Sequence, residues 1–183
     1  MDSGPPVSYH IDHNDSLDAF NEGWLAFADA NGGESLHPSR IRGRQLWEFV
    51  REPTTAQLYR SMLVRLRSGG RPIRFRFRCD APDRRRLLEM DMTADAAGGI
   101  QFNVTSVHEE ARAPLLLLDP NRTPGNGFLT ICAWCKRVRL SQDEWVEVED
   151  AVKALNLFEG APLPALTHGV CPACSETMLE TAV

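Results

Sequence analysis

Four of the five cysteines occur as two Cys-x-x-Cys pairs in the last third of the chain. The first pair is Cys132 and Cys135, in the segment CAWC, and the second is Cys171 and Cys174, in CPAC. Two cysteines three positions apart can bind one metal ion from a single tight turn, and zinc takes four thiolates in a tetrahedron. The doubled pair therefore predicts a structural zinc ion whose coordination positions are all filled by protein.

Other residues near these pairs allow alternative interpretations. A dithiol redox site is one of them, although CAWC precedes no βαβ pattern of the kind that accompanies thioredoxin-like pairs. His168 lies three residues before Cys171, and we predict that it packs beside the metal ligands without binding the metal, because four thiols complete the tetrahedron. The fifth cysteine, Cys79, lies on the apolar side of a predicted strand, which favours a buried core thiol over a redox sensor.

The composition of the chain limits the classes of protein to which it can belong. Its 183 residues are 43% hydrophobic and carry a formal charge of −5, which predicts a folded protein and argues against nucleic acid as a partner. No apolar run approaches the roughly 18 residues that a membrane span needs, and the polar, acidic N-terminus does not resemble a secretory signal. We therefore expect a cytoplasmic protein with no membrane partner.

The sequence before the cysteines changes from helical to strand periodicity. A short strand is predicted at 7–12, followed by a helix within 16–33 whose first residues also fit a second short strand. Thr54 and Gln57 form a capping-box pattern that opens a helix at 54–67. Apolar and polar residues then alternate in three segments, 72–79, 86–93 and 99–106. This order predicts an α+β fold with an antiparallel meander that has one solvated face.

Composition also predicts where the domains begin and end. Three prolines and two glycines fall between Ala113 and Gly127, which is typical of a boundary. We predict three parts: a domain at 1–112, a linker at 113–127 and a zinc-binding tail at 128–183. In the tail, a second capping-box pattern at Ser141 and Glu144 predicts an acidic helix at 142–155.

Three arginines share the solvated face of the first long strand: Arg74, Arg76 and Arg78. Ion pairs with Glu89 and Asp91 of the next strand are the first interpretation. The second is an interaction face that binds the acidic helix at 142–155 or an acidic surface of a partner protein. A nucleic-acid face is the third, and the net negative charge disfavours it.

No combination of residues indicates an enzyme. We find no nucleophile–base arrangement, no phosphate-cradling glycine loop and no paired carboxylates with a plausible cleft. We therefore expect a non-enzymatic regulatory protein. The rival functions are a zinc-containing nucleic-acid-binding transcription regulator and a thiol redox protein.

The N-terminal part of the chain resembles a PAS domain. The resemblance rests on a strand near YHID, the segments FNEGWLAFA and IRGRQLWEFV, a helix at 54–67 and three long strands. The tail resembles the zinc-binding segment at the end of many bacterial PAS-containing signalling proteins, through CAWCKRVR, Trp145 and THGVCPAC. The resemblances imply a PAS-like antiparallel sheet with helices on one face, plus a small C-terminal zinc-ribbon-like module.

The resemblance also implies a function. PAS domains bind a small molecule or cofactor between sheet and helices, or bind none and dimerise, and they pass a signal on, here to a partner protein in trans. The residues that would line such a pocket, or form an ordinary core, are Trp24, Phe27, Trp47, Phe75, Phe77, Met90, Met92 and Phe102. The cysteine motif of flavin-binding light sensors is absent, and a haem would need His10, His13, His37 or His108 as its axial ligand.

Overall fold

The computed structural model describes residues 5–157 and 162–182. Their contacts divide the chain into two compact units. Unit 1 consists of Met1–Arg76, Leu88–Val107 and Met178–Val183, and unit 2 of Phe77–Leu87 and His108–Thr177.

Five strands form the first sheet: β1 (Val7–Ile11), β2 (Leu17–Phe20), β3 (Ile73–Arg78), β4 (Arg84–Ala94) and β5 (Ile100–Ala111). Their order is β2-β1-β5-β4-β3. β1 pairs antiparallel with both of its neighbours, with Tyr9 opposite Phe20 on one side and opposite Phe102 on the other. The predicted first strand, the second short strand and the three long strands are all confirmed.

Three helices follow β2 and precede β3 along the chain: α1 (Glu22–Ala30), α2 (Pro38–Ile41) and α3 (Pro53–Arg67). Single 3₁₀ turns occur at Glu34–Leu36 and Leu46–Glu48. The prediction of α3 is confirmed, but its predicted capping box at Thr54 and Gln57 is wrong. The side chain of Glu52 accepts hydrogen bonds from the backbone N–H groups of Thr54 and Thr55. Glu52 is therefore the cap, and Pro53 occupies the first helical position, where its fixed φ is favourable.

Alternate residues of the long strands are buried, as the period of two predicts. These residues and the inner face of α3 form the core of unit 1: Leu58, Met62, Leu63, Leu66, Ile73, Phe75, Leu88, Met90, Met92, Ile100 and Phe102. The ring of Tyr59 on α3 meets Phe75 edge-on, with centroids 6.5 Å apart, so α3 covers this face of the sheet. Each large side chain buried here contributes about 1.5–3 kcal/mol by leaving water. The predicted α+β class is confirmed.

Unit 2 contains a second sheet with four strands: β6 (Gly125–Cys132), β7 (Val138–Arg139), β8 (Trp145–Val146) and β9 (Pro164–Gly169). Their order is β8-β7-β6-β9, and β9 runs parallel to β6 whereas the other pairs are antiparallel. Helix α4 (Val148–Ala154) follows β8, and helix α5 (Pro172–Ala182) follows β9. Within residues 5–157 and 162–182, no helix is both long enough and apolar enough to cross a membrane.

The capping-box pattern at Ser141 and Glu144 does not open a helix, so the prediction of a helix from 142 is wrong. The backbone N–H of Leu140 donates to the carbonyl of Glu144, 2.9 Å away, which closes a hairpin loop. Trp145 then pairs with β7 in strand β8. An aromatic residue followed by valine favours a strand, and the helix begins only at Val148.

The segment 113–127, which the sequence predicts as a linker, contributes to the core of unit 2. Leu117 lies in a 3₁₀ turn and is only 2% exposed, packed in one cluster with Leu129 and Ile131. β6 also begins at Gly125, inside this segment. The predicted domain limits stay a prediction, and their outer ends at residues 1 and 183 lie outside the described residues.

Candidate metal centre

The first cysteine pair lies in a tight turn, here called the first cysteine turn (residues 132–137), between β6 and β7. The backbone N–H of Cys132 donates to the carbonyl of Arg137 at 2.7 Å, and the N–H of Lys136 donates to the carbonyl of Cys132 at 3.1 Å. Lys136 has a φ of +62°, a left-handed conformation that reverses the chain. The turn therefore presents Cys132 and Cys135 from one short loop.

The second pair reaches the same place because β9 runs parallel to β6. Cys132 at the end of β6 is in register with Gly169 at the end of β9, and the N–H of Ala133 donates to the carbonyl of Gly169 at 2.8 Å. Cys171 follows directly, and its N–H donates to the sulfur of Cys132 at 3.4 Å. Cys174 lies in the first turn of α5.

The four sulfur atoms form one group, here called the cysteine cluster (Cys132, Cys135, Cys171 and Cys174), and all lie within 4.8 Å of one another. The sulfurs of Cys135 and Cys171 are 3.7 Å apart. Four thiolates around zinc, each at about 2.3 Å, would stand about 3.8 Å apart. A disulfide would need about 2.05 Å, and all five cysteines are free. The cluster thus fits a tetrahedral zinc ion.

Three thiols of the cluster shift one another's pKa. Hydrogen bonds from Cys135 and Cys174 lower the pKa of the Cys132 thiol, because they stabilise its thiolate. The same contact with Cys132 raises the pKa of Cys135 to about 12, and Cys132 and Cys135 raise the pKa of Cys174. A bound divalent ion deprotonates its thiol ligands.

The surroundings of the cluster suit a structural role. Cys132 and Cys171 are buried, and Trp134, inside the first cysteine turn, is 4% exposed. Four protein ligands leave no coordination position for a catalytic water. His168 lies on β9 in register with Ile131 and is exposed, and its predicted role beside the ligands stays a prediction.

The three arginines predicted as an interaction face divide into two groups. Arg74 contacts Asp91 (Nε to Oδ1, 2.6 Å) and Arg76 contacts Glu89 (Nε to Oε2, 3.1 Å). The cross-strand interpretation is therefore confirmed for these two, whose side chains are 65% and 61% exposed. Whether they also bind a partner stays a prediction.

Arg78 behaves differently, since its side chain is only 15% exposed. It contacts Asp80, and its Nη1 lies 2.5 Å from an oxygen of Glu147, the residue that caps α4. The interpretation that the arginines bind the acidic part of the tail thus applies to Arg78. Nearby, Cys79 is half-buried immediately after β3, so the prediction of a fully buried core thiol is too strong.

The residues predicted to line a ligand pocket do not share one environment. Phe75, Met90, Met92 and Phe102 are buried in the core of unit 1, Trp24, Phe27 and Trp47 are half-buried in that unit, and Phe77 is half-buried in unit 2. The indole N–H of Trp24 donates to the carbonyl of Leu36, and that of Trp47 donates to Asp15. Their role as a ligand pocket stays a prediction.

Sequence reasoning missed two half-buried tyrosines of unit 1 whose rings pack against core residues. The ring of Tyr9 stacks on Phe102 with centroids 4.4 Å apart, and Tyr59 meets Phe75. Burial raises the pKa of both hydroxyls, that of Tyr59 to about 12. The signal was present for Tyr9, because Val7, Tyr9 and Ile11 alternate in the predicted first strand.

A shallow pocket on unit 2 was also not predicted. It has a volume of about 310 Å³ and is lined by Leu117, Leu118, Asp119, Pro120, Arg122, Pro124, Ala165 and Leu166. The guanidinium of Arg122 donates to the carbonyls of Leu117, Leu163 and Pro164 and so fixes its wall. Because these residues come from the predicted linker and from β9, only the fold could bring them together.

These features define an α+β protein with an antiparallel five-stranded sheet and a cysteine cluster in unit 2 that is able to hold a metal. Two similar solved structures are PAS-fold domains. The photoactive yellow protein domain of the sensor histidine kinase Ppr from Rhodospirillum centenum has a TM-score of 0.40 and 17% identity, over 55% of this chain and 84% of that one. A domain of an HTR-like protein from Haloarcula marismortui ATCC 43049 has a TM-score of 0.36 and 16% identity, over 57% of this chain and 100% of that one.

Both TM-scores are below 0.5, so no inference about function rests on either likeness. The sequence matches no protein-family model and no curated protein.

Proposed function

We propose that this chain is a non-enzymatic regulatory protein of the cytoplasm, with a PAS-like sensory or interaction domain and a structural zinc site. The domain binds a small molecule or a signalling partner and passes its signal on in trans. The tail's resemblance to segments of bacterial PAS-containing signalling proteins supports the same class. Nucleic acid and membranes are not its partners.

The observation that carries the metal half of the proposal is the convergence of four cysteine sulfurs within 4.8 Å. The residues that would hold the ion are Cys132, Cys135, Cys171 and Cys174. Zinc bound in this way supplies folding energy and offers no open coordination position. A small unit whose core is built from short strands has particular need of such a constraint.

The sensory half of the proposal is supported by the interior of unit 1. The half-buried Tyr9 and Tyr59 place their rings against the buried Phe102 and Phe75, and each tyrosine carries a hydroxyl group. Such a lining suits an apolar ligand with one or two hydrogen-bonding groups. If the interior binds nothing, the same domain acts by binding its partner or a second copy of the chain.

Native mass spectrometry of the purified chain tests both halves. We expect one zinc per chain, with any bound small molecule and any homodimer visible in the same spectrum. Less than about half an equivalent of zinc, together with freely titrating thiols, would contradict the metal half. Reduction of insulin by the metal-free chain would instead favour a thiol redox protein, and salt-dependent binding of DNA would favour a nucleic-acid-binding regulator.

A further inference from the structure

A series of oppositely charged side chains in unit 2 begins at the first cysteine turn. Arg137 lies two residues after Cys135, and its carbonyl accepts the hydrogen bond from the backbone N–H of Cys132. Its guanidinium contacts one oxygen of Glu147 (Nε to Oε1, 3.3 Å). The other oxygen of Glu147 contacts Nη1 of Arg78 at 2.5 Å. Glu147 thus bridges the cysteine turn and a residue at the end of β3.

Arg78 is connected to the cysteine turn a second time, through its backbone. Its N–H donates to the carbonyl of Trp134 at 2.7 Å, and Trp134 lies between Cys132 and Cys135. The backbone and side chain of Arg78 therefore reach the turn from two directions.

Arg78 itself is held in place by a buried carboxylate. Asp80, whose side chain is 1% exposed, contacts both Arg78 and Arg112, the latter at 3.2 Å. Arg112 also contacts Glu149 of α4 at 3.1 Å. Each of these guanidinium groups contacts two carboxylates: Arg78 contacts Asp80 and Glu147, and Arg112 contacts Asp80 and Glu149. Arginine suits such positions because its planar group holds two partners in a fixed geometry. The conformation of Arg78 is therefore fixed by a residue outside the cysteine cluster.

We infer that Arg78 is a positioning residue for the metal site: it does not bind the ion, but it holds the first cysteine turn in the shape that the four-sulfur site requires. The inference rests on the zinc site proposed above and extends it to a residue outside the tail. Groups behind the ligands commonly change metal affinity by about 10-fold to 100-fold, because they orient the ligands before binding.

The test compares two arginines of one strand in the full-length chain. Arg78→Gln removes the contacts with Glu147 and Asp80 but keeps the backbone bond to Trp134. Arg76→Gln is the matched control, since Arg76 lies two residues earlier, is 61% exposed and contacts only Glu89 among the ion pairs of the described residues. Zinc affinity is measured by competition with a chromophoric chelator at a temperature at which circular dichroism shows every variant folded.

We expect Arg78→Gln to weaken zinc binding by about 10-fold or more and Arg76→Gln to change it by less than about 2-fold. The visible spectrum of the cobalt-loaded chain should change in Arg78→Gln and not in the control, because the spectrum reports the geometry of the sulfurs. A general loss of stability would not alter that spectrum in a chain that remains folded. Glu147→Gln should weaken zinc binding in the same direction.

A folded Arg78→Gln chain with the wild-type zinc affinity and cobalt spectrum would overturn the inference. Should that variant not fold, Arg78→Lys and Glu147→Gln decide in its place, and wild-type affinity in both would overturn it equally. Failure of the proposed zinc site is a separate result, because it shows in the wild-type titration alone.

Discussion

At the scale of single residues, the five cysteines occupy two different environments: four form the cysteine cluster, and Cys79 lies outside it. Cys171 is 3% exposed, and its N–H and sulfur both contact other members of the cysteine cluster. Cys79 is a free, half-buried thiol outside that cluster. Cys171 and Cys79 therefore allow a matched test of the proposed metal site.

Cys171→Ser is therefore expected to abolish stoichiometric zinc binding, because a hydroxyl does not replace a thiolate in this site. Cys79→Ser should retain one zinc per chain and serves as the control. Native mass spectrometry and a colorimetric thiol titration measure both. Equal zinc content in the two variants would show that the cluster is not the metal site.

His10 on β1 is a second residue whose environment has a measurable consequence. Its Nδ1 lies 2.6 Å from Asp18 and its Nε2 3.0 Å from Asp95. Burial by itself lowers the pKa of His10, but the hydrogen bonds and charges of the two carboxylates outweigh burial and raise the pKa above its ordinary 6.5. The protonated imidazole thus favours the folded state.

The stabilisation from His10 should be fully present below its unfolded pKa and should be lost as the pH rises through its folded pKa. We expect the difference in unfolding free energy between wild type and His10→Gln to shrink between about pH 5 and about pH 9. Urea denaturation at several pH values measures it. If the difference in unfolding free energy between wild type and His10→Gln stayed constant across this pH range, protonated His10 would not be the source of the stabilisation.

At the scale of elements, charged residues near the turn between β3 and β4 form a network of ion pairs around the buried Asp80. Asp80 follows β3 and accepts from Arg78, from Arg112 and, at 3.3 Å, from the backbone N–H of Arg86. Removing the charge of this buried carboxylate breaks two ion pairs at once and leaves Arg78 with Glu147 and Arg112 with Glu149 as their remaining acidic partners. Asp91, on β4, contacts an arginine that is 65% exposed.

Asp80→Asn is therefore expected to lower the free energy of unfolding by up to about 3–5 kcal/mol, the cost of breaking a buried ion pair completely, because Glu147 and Glu149 still face the two arginines. Asp91→Asn is the control, and its effect should be much smaller because water and salt screen exposed pairs. Chemical denaturation of both variants gives the comparison. Effects of equal size would mean that the Asp80 network contributes no more than a surface pair.

At the scale of the whole molecule, the two units differ in what stabilises them. Unit 1 has a core built from the buried face of α3 and alternate residues of the long strands. Unit 2 combines short strands, a small apolar cluster around Leu129, Ile131 and Val138, and the cysteine cluster. Metal removal should therefore affect the units unequally.

Treatment with a strong chelator is expected to increase amide hydrogen exchange in β6 and β9 while the central strands of unit 1 stay protected. Hydrogen-exchange mass spectrometry before and after chelation measures this. The Cys171→Ser variant is the control, since chelator should change its exchange little. Unchanged protection of β6 and β9 in the wild type would mean that metal does not stabilise unit 2.

Much of this structure was predictable because the relevant signals are local. The period of two in 72–79, 86–93 and 99–106 predicted β3, β4 and β5, since alternate residues must reach the same face. Local patterns failed where a partner strand pairs with the same residues. The capping-box pattern at Ser141 and Glu144 predicted a helix, but Trp145 pairs with β7 in a strand. A hydrogen-bonded partner strand is not visible in a short sequence window.

The sequence by itself predicted the four cysteines that come together in the candidate metal site and the α+β class, because cysteine spacing and residue periodicity are properties of neighbouring residues. Only the tertiary structure decided that β9 runs parallel to β6, which brings the two cysteine pairs to one end of a sheet. It also decided that Arg78, and neither Arg74 nor Arg76, contacts Glu147. The three arginines alternate identically in sequence, and their roles differ because folding brings remote carboxylates to each of them.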